Sequence, residues 1–273
     1  RVANLRKAMP HHEELGRTSC QVRNFCDRGC SYGAYHSALS SALPAAERTG
    51  NLTIVTDAIV HSIVHDPATG KVTGVRVIDA NTKAGRTYEA RIVFSCASTI
   101  GTAQILLNSK SEAMPSGLAN RSDMVGRNLI DHIFSLSVAG ILPKGPDSYY
   151  YGRKPTGMYI PRYRNISGQE DFLRGFGFQG AVSRLGWRSS ALGLPGIGAE
   201  LKSRTRKLGP WLVYISGFGE MLPNPENRVT LDGTKTDKWG VPLVKIDCAH
   251  GENERKMTAR ILTDAKEMIQ SAG

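Results

Sequence analysis

The chain contains no run approaching the roughly 20 consecutive apolar residues that a helix needs to cross a bilayer. No transmembrane segment is therefore expected within it. Its opening residues, RVANLRKAMPHHEELGR, hold no apolar signal core and do not start with methionine, so any targeting leader is expected outside this stretch. Cysteine is scarce and odd in number, five in all, which argues against a disulfide framework. There is no internal repeat and no low-complexity tract. The densest basic run, Lys202, Arg204, Arg206 and Lys207, has no interleaved aromatics and no motif that reads nucleic acid. It is expected to be a solvated surface, with a docking face for an acidic electron-transfer partner as the alternative, and no nucleic-acid partner is expected.

What the 273 residues do contain is 40% hydrophobic and 22% charged, the balance of a globular protein with room for one or two domains. Lysine and arginine (35) outnumber aspartate and glutamate (24) for a net charge of +11, spread along the chain. An excess of this size favours anionic partners in general. Cys96 and Cys248 sit in strand-like apolar runs, IVFSCAS and LVKIDCAH, where thiols are expected to be buried as small hydrophobes.

Residues 51–66, NLTIVTDAIVHSIVHD, are rich in β-branched residues and predict two short strands. Pro67 to Gly70 predicts a turn, Val72 to Asp79 a returning strand, and Tyr88 to Cys96 a continuation of the same meander. RIVFSC then passes through Ala97, Ser98 and Thr99 into TIGTAQILLNS, whose Ala103, Ile105, Leu106 and Leu107 carry helical spacing. A strand that ends in small residues and opens a helix is the local geometry of a nucleotide-binding crossover, because small side chains let the backbone approach a ligand; packing alone produces the same pattern. Leu136 to Leu142, Phe176 to Val182, Trp211 to Met221, Arg228 to Asp232 and Val241 to Cys248 predict a second sheet. The stretch between Pro143 and Pro210 is otherwise irregular. In the last segment Met257, Ile261, Leu262, Ala265, Met268 and Ile269 line one face of a helix, with Glu252 and Glu254 near the positive end of its dipole.

Cys20, Cys26 and Cys30, spaced C-x5-C-x3-C, are candidate metal ligands. The spacing fits neither a zinc-ribbon knuckle nor the usual ferredoxin run. Three accounts stay open on the residues alone: a metal or cluster on the three thiolates, a zinc site completed by His36, and reduced thiols without a ligand. A compact basic zinc module binding RNA is a further alternative, but it leaves most of the chain unexplained.

The ordered set of GC-x-x-GA, LPAAERTGNLTIVTDAIVHSI, the meander, ARIVFSCASTIGTAQILLNS, VGRNLIDH and NPENRVTLD with GVPLVKIDC resembles the glucose-methanol-choline (GMC) flavoprotein oxidoreductases. Within that family it is most similar to bacterial FAD-dependent sugar, gluconate and polyol dehydrogenases. The resemblance implies a mixed α+β and α/β fold, in which part of a Rossmann-like FAD domain with a β-meander is joined to an antiparallel-sheet substrate domain. It implies residues 1–124 as FAD-domain portion with the cysteine-rich segment, 125–248 as substrate-domain sheet and 249–273 as a closing helix. FAD is the implied cofactor, touched by the backbone of Val60 and by the small-residue turn at Cys96, Ala97 and Ser98. Many members have glycine where this chain has Ser98.

The implied reaction is oxidation of a CH–OH group of a sugar, polyol or sugar acid, with hydride passing to flavin N5. In relatives of the sugar-dehydrogenase branch, cysteines at this spacing hold a 3Fe-4S cluster. That implies Cys20, Cys26 and Cys30 as metal ligands, with Arg17, Arg23 and Arg28 offsetting the cluster charge. A cytochrome c subunit is then the implied electron acceptor, and oxygen or a quinone the acceptor if the thiols are empty. The implied location is the bacterial periplasm, with the cytoplasm as alternative. Asp131 and His132 match a family motif, but His132 is expected to be structural. No G-x-G-x-x-G phosphate fingerprint is expected anywhere in the 273 residues, and the family's catalytic pair is expected beyond Gly273. The chain is thus expected to be an internal fragment that holds FAD poorly and does not turn over alone. A non-catalytic flavin-domain relic is the alternative.

Overall fold

A computed structural model describes residues 9–22, 26, 29–142, 145, 157–185, 196–206 and 209–273. In chain order these form α1 (Pro10–Glu13), a 3-10 turn (Ala38–Ser40), α2 (Ala42–Arg48), β1 (Ala58–Asp66), β2 (Lys71–Asp79), β3 (Gly85–Glu89) and α3 (Ser98–Asn108). There follow β4 (His132–Leu142), β5 (Met158–Ile160), β6 (Phe176–Arg184), α4 (Gly198–Thr205), β7 (Trp211–Glu220), β8 (Arg228–Thr236), β9 (Pro242–Asp247) and α5 (Glu252–Ser271). The chain divides into two compact units, each built from separated segments. One comprises the residues up to Ile54 with Ile133–Gly219 and Lys256–Gly273; the other comprises Val55–His132 and Glu220–Arg255.

The second unit holds the meander β1-β2-β3 and the hairpin β8-β9, both antiparallel. Its turns are set by aspartates that accept backbone amides ahead of them. Asp66 accepts from the Ala68 N–H at 2.9 Å and from the Thr69 hydroxyl at 2.6 Å. Asp79 accepts from the Asn81 and Thr82 amides at 2.9 and 2.7 Å. Each side chain thus stands in for a backbone carbonyl and fixes the reversal. The strand expected at 51–66 is a single one, bulged at His61, where the partner of Val60 is Val77 and that of Ser62 is Arg76. The continuation expected through Arg91 to Cys96 does not pair with any strand among the described residues. Ile92 and Phe94 are 71% and 83% exposed there. Propensity favours extension at these positions, but a strand exists only where a neighbour accepts its amides.

The first unit holds the sheet β4-β7-β6-β5, in which β6 pairs antiparallel with β5 and β7. Phe172, Phe176, Phe178 and Ile215 are buried within it, and Phe176 meets Phe178 edge to face at 5.6 Å. From α5, Met257, Ile261 and Ala265, spaced four apart, are fully buried. Leu262, expected on the same stripe, is 40% exposed, because one residue past Ile261 turns it about 100° away. The helix seats over glycines: a Cβ on Gly217 would lie 2.1 Å from an Ile261 methyl, and one on Gly219 2.5 Å from the Met257 sulfur.

The string Gly175-Phe-Gly-Phe-Gln-Gly180 has the literal G-x-G-x-x-G spacing, which corrects the expectation that the motif is absent from the chain. It runs into β6 and opens no helix, and a Cβ on Gly180 would lie 2.3 Å from the Tyr214 carbonyl of the adjacent strand. These glycines serve close strand approach and make no phosphate loop. Asp264 of α5, 2% exposed, accepts from the Tyr163 hydroxyl at 2.5 Å and from Arg164 Nε and Nη2 at 3.0 Å each, and forms an ion pair with Arg260 at 3.1 Å. Burial and the Asp264 carboxylate both push the Tyr163 phenol well above its ordinary value. The architecture is therefore mixed α and β with antiparallel sheets.

Glu254, near the start of α5, is 4% exposed and accepts the Leu222 and Gly251 amides at 2.9 and 2.7 Å. Burial alone would raise its pKa, yet these amides outweigh it and the carboxyl lies below its ordinary value. A depressed folded value means that the stabilisation is present above the unfolded glutamate value, about 4.3, and is lost as pH falls through the folded one. Glu254→Gln is expected to cost about 1–3 kcal/mol at pH 7. The gap between wild type and variant in urea denaturation should narrow below about pH 4.

Candidate functional site

The small residues that end the unpaired segment and open α3 build the site. Ala97 is the N-cap of α3 and no side chain caps the helix's first amides. Ser98 has φ +60, the left-handed region, which non-glycine residues enter at a cost of about 1–2 kcal/mol. A glycine would adopt this φ without that cost. Cys96 is exposed, and so is Cys248 just past β9; neither is the buried thiol expected from its apolar neighbours. The β-branched residues around Cys96 have no sheet to enter, so their run does not become core.

The opposite wall is the loop 125–130. Gly126 has φ +84, its carbonyl accepts the Val229 amide at 2.7 Å, and a Cβ there would lie 2.3 Å from the Val229 carbonyl. Three residues along, the Leu129 amide donates to the Asn227 carbonyl at 2.7 Å. Asn227 is itself buried, with its side chain bonded to both the amide and the carbonyl of Ala249. Arg127 is strapped to Asp123 at 2.6 Å and to the Pro225 carbonyl at 3.3 Å. From α3, the Gln104 amide group donates to the Pro242 carbonyl at 2.9 Å, tying the helix to β9.

Between these walls lies an open cleft of about 750 Å3. It is lined by Ser95, Cys96, Ser98 and Thr99 at the turn, Thr102, Ala103 and Leu106 along α3, residues 125–130, and Val229. The volume falls in the range of ligand pockets, roughly 300–1,000 Å3. Of the four expected cofactor contacts, Cys96 and Ser98 line the cleft and Ala97 caps its helix. Val60 does not line it: it lies on β1, 37% exposed. β1 instead meets the far end of α3, where Ser109 Oγ accepts the Ile63 amide at 2.8 Å and Asn108 Nδ2 donates to the His61 carbonyl at 2.9 Å. Burial, then the charge of Arg76, holds the His61 imidazole below its ordinary pKa. The loop wall, with Gly126, Arg127 and Asn227, was not among the expected contacts, although VGRN and NPENRV carry its residues. The signal that could have found it is Gly126 beside a turn-forming Asn128, which has φ +53.

The stretch 8–134, which supplies every cleft residue except Val229, matches the family model described as GMC oxidoreductase. The chain belongs to the GMC oxidoreductase family. This GMC chain is 31% identical over 201 residues to 2-methyl-1,2-propanediol dehydrogenase of Mycolicibacterium austroafricanum, covering 68% of the chain and 34% of that protein. It is 28% identical over 275 positions to the fructose dehydrogenase large subunit of Gluconobacter japonicus, covering 98% of the chain and 48% of that protein. The GMC chain thus spans about a third to a half of the length of these relatives. The family implies FAD.

Cys20, Cys26 and Cys30 are half-buried, and none is disulfide-bonded. Among the described residues no three histidine, cysteine, aspartate or glutamate side chains gather as a metal site, so the structure assembles neither a cluster cradle nor a zinc site with His36. Burial would raise the Cys30 pKa, but the Tyr35, Tyr32 and Ala34 amides prevail and lower it. Of the arginines expected to offset a cluster's charge, Arg17 is 5% exposed and donates to the Gly33 carbonyl at 2.8 Å, while Arg23 and Arg28 lie outside the described residues. His132 and Asp131 are both exposed at the start of β4, where the Asp131 carboxylate accepts the His132 amide at 2.7 Å.

Two outcomes test this geometry. Ser98→Gly is expected to raise stability by about 1 kcal/mol by relieving the left-handed strain, measured as the urea midpoint. Gly126→Ala is expected to lower it by about 2 kcal/mol or more, because both its φ and its distance from Val229 exclude a methyl group.

Proposed function

We propose that the chain is the part of an FAD-dependent dehydrogenase that builds one wall of its flavin site, in a protein that oxidises a CH–OH group of a sugar, polyol or sugar acid. The observation that carries this reading is the cleft at the small-residue turn of α3, formed almost wholly by the stretch that matches the family. The residues fit a dinucleotide cofactor: Ala97 and Ser98 offer little bulk, the first amides of α3 carry no side-chain cap, and a helix N-terminus favours an anionic group. When bound, FAD supplies the hydride acceptor of the reaction. The names of the two relatives, one acting on a diol and one on fructose, support an alcohol or sugar as donor.

In this reading Cys96, Ala97 and Ser98 hold the cofactor by backbone approach, α3 orients it, and residues 125–130 keep water from one side. Val60 is proposed to contact the cofactor through its backbone from β1. No residue of the chain is proposed as the base that takes the hydroxyl proton. That group is proposed to lie in the part of the relatives' length that this chain does not span, together with the Rossmann-like strands of the FAD domain. The word subunit in the fructose dehydrogenase name supports a partner polypeptide such as a cytochrome as electron acceptor, and the periplasm is the proposed location.

Titration of the 273-residue chain with FAD, followed by flavin fluorescence, is expected to give weak saturable binding and no turnover of fructose or a diol with an artificial electron acceptor. Thr102→Trp, which fills the cleft, is expected to weaken that binding about tenfold or more while leaving the circular dichroism spectrum unchanged. Unaltered binding in the variant would remove the cleft from the site, and turnover by the chain alone would overturn the division of labour proposed here.

A further inference from the structure

Next to the cleft lies a second, smaller cavity of about 170 Å3, lined by Lys110, Arg127, Arg228, Asp123, Ser116 and Thr230 among others. We infer that it is a binding site for one phosphate-like oxyanion. Its size is the room of about five or six waters, too small for a cofactor and suited to a single compact group. Three cationic residues line it against one carboxylate, which leaves two positive charges.

That carboxylate is already committed: Asp123 holds Arg127 at 2.6 Å, and the same guanidinium also donates to the Asp123 and Pro225 carbonyls. Arg127 is therefore a strap, and the field in the cavity comes from Lys110 and Arg228. Neither has a side-chain hydrogen bond or ion pair among the described residues, and Arg228 is half-buried. Two like charges lining one small cavity repel each other, and an anion between them removes that repulsion. The planar fork of Arg228 matches a phosphate or carboxylate edge, and Lys110 adds a point charge. Thr230 brings a hydroxyl to the lining, whereas that of Ser116 is spent on the Asn120 carbonyl at 3.2 Å.

The cavity shares Val125, Arg127 and Val229 with the larger cleft, but its residues are not the proposed cofactor contacts and the inference stands without a flavin. The test is a titration of the 273-residue chain with inorganic phosphate at constant ionic strength, read by phosphorus NMR line width without FAD. Saturable one-to-one binding is expected. Lys110→Gln and Arg228→Gln are each expected to weaken it about tenfold, Arg228→Lys less, and Asp123→Asn to strengthen it. Lys71→Gln, a charge removed elsewhere on the unit, and Thr102→Trp in the cleft should leave it unchanged. The inference is overturned if wild type does not saturate, if Lys110→Gln binds as wild type does, if Lys71→Gln loses as much, or if acetate binds more tightly than phosphate.

Discussion

The backbone contact between Gly126 and Val229 governs the unit that carries the cleft. An amide-to-carbonyl bond of 2.7 Å joins a loop that has no regular structure of its own to the first residues of β8. Only a residue without a side chain can approach so closely at φ +84. Once the two are joined, Arg127 is aimed between Asp123 and Pro225, Leu129 reaches the Asn227 carbonyl, and the loop lines both the cleft and the smaller cavity. The buried Asn227, which bonds both backbone groups of Ala249, holds the other end of the same tie. A loop wall thus acquires rigidity from a few backbone bonds in place of a secondary-structure ladder.

The parts of the fold that were legible are those whose side-chain period is imposed by their own element. Met257, Ile261 and Ala265 repeat every fourth residue because a helix turn does, and the reversal between β1 and β2 is set by turn residues adjacent in the chain. What depended on a neighbour was not legible. Ile92 and Phe94 have the composition of a strand, but pairing is a property of two segments. The exposed Cys96 and Cys248 were misjudged for the same reason: apolar neighbours in sequence are not apolar neighbours in space. The glycines from Gly175 to Gly180 show the converse, since a spacing that can mark a phosphate loop here serves strand packing. The turn at Ala97 and Ser98 was found from its small residues, whereas the loop wall opposite it, made by backbone geometry, carried only the faint mark of one glycine.

The cysteines and the cleft assign different weights to local and long-range order. Three thiols within one short segment look like a preformed ligand set, yet sequence proximity does not make their sulfurs converge. The Cys30 thiol is instead influenced by amides a few residues ahead of it, a purely local effect. The cleft draws its walls from positions about thirty and more than one hundred residues from the α3 turn, and those distant segments are what give it a defined volume.

The seating of α5 on glycines of the sheet has a consequence for how this sequence can drift. Where Gly217 and Gly219 face Ile261 and Met257, the nearest filling comes from the helix, with Phe178 and Ile133 beside it, and at these two positions the strand contributes bare backbone. Volume can therefore be exchanged on one side only. A smaller helix residue leaves a void that neighbours can partly close, whereas any side chain added on the strand pushes the helix off its seat. The two partners of this interface thus tolerate change unequally: the helix can accept apolar side chains of similar size, whereas positions 217 and 219 of the strand admit glycine alone.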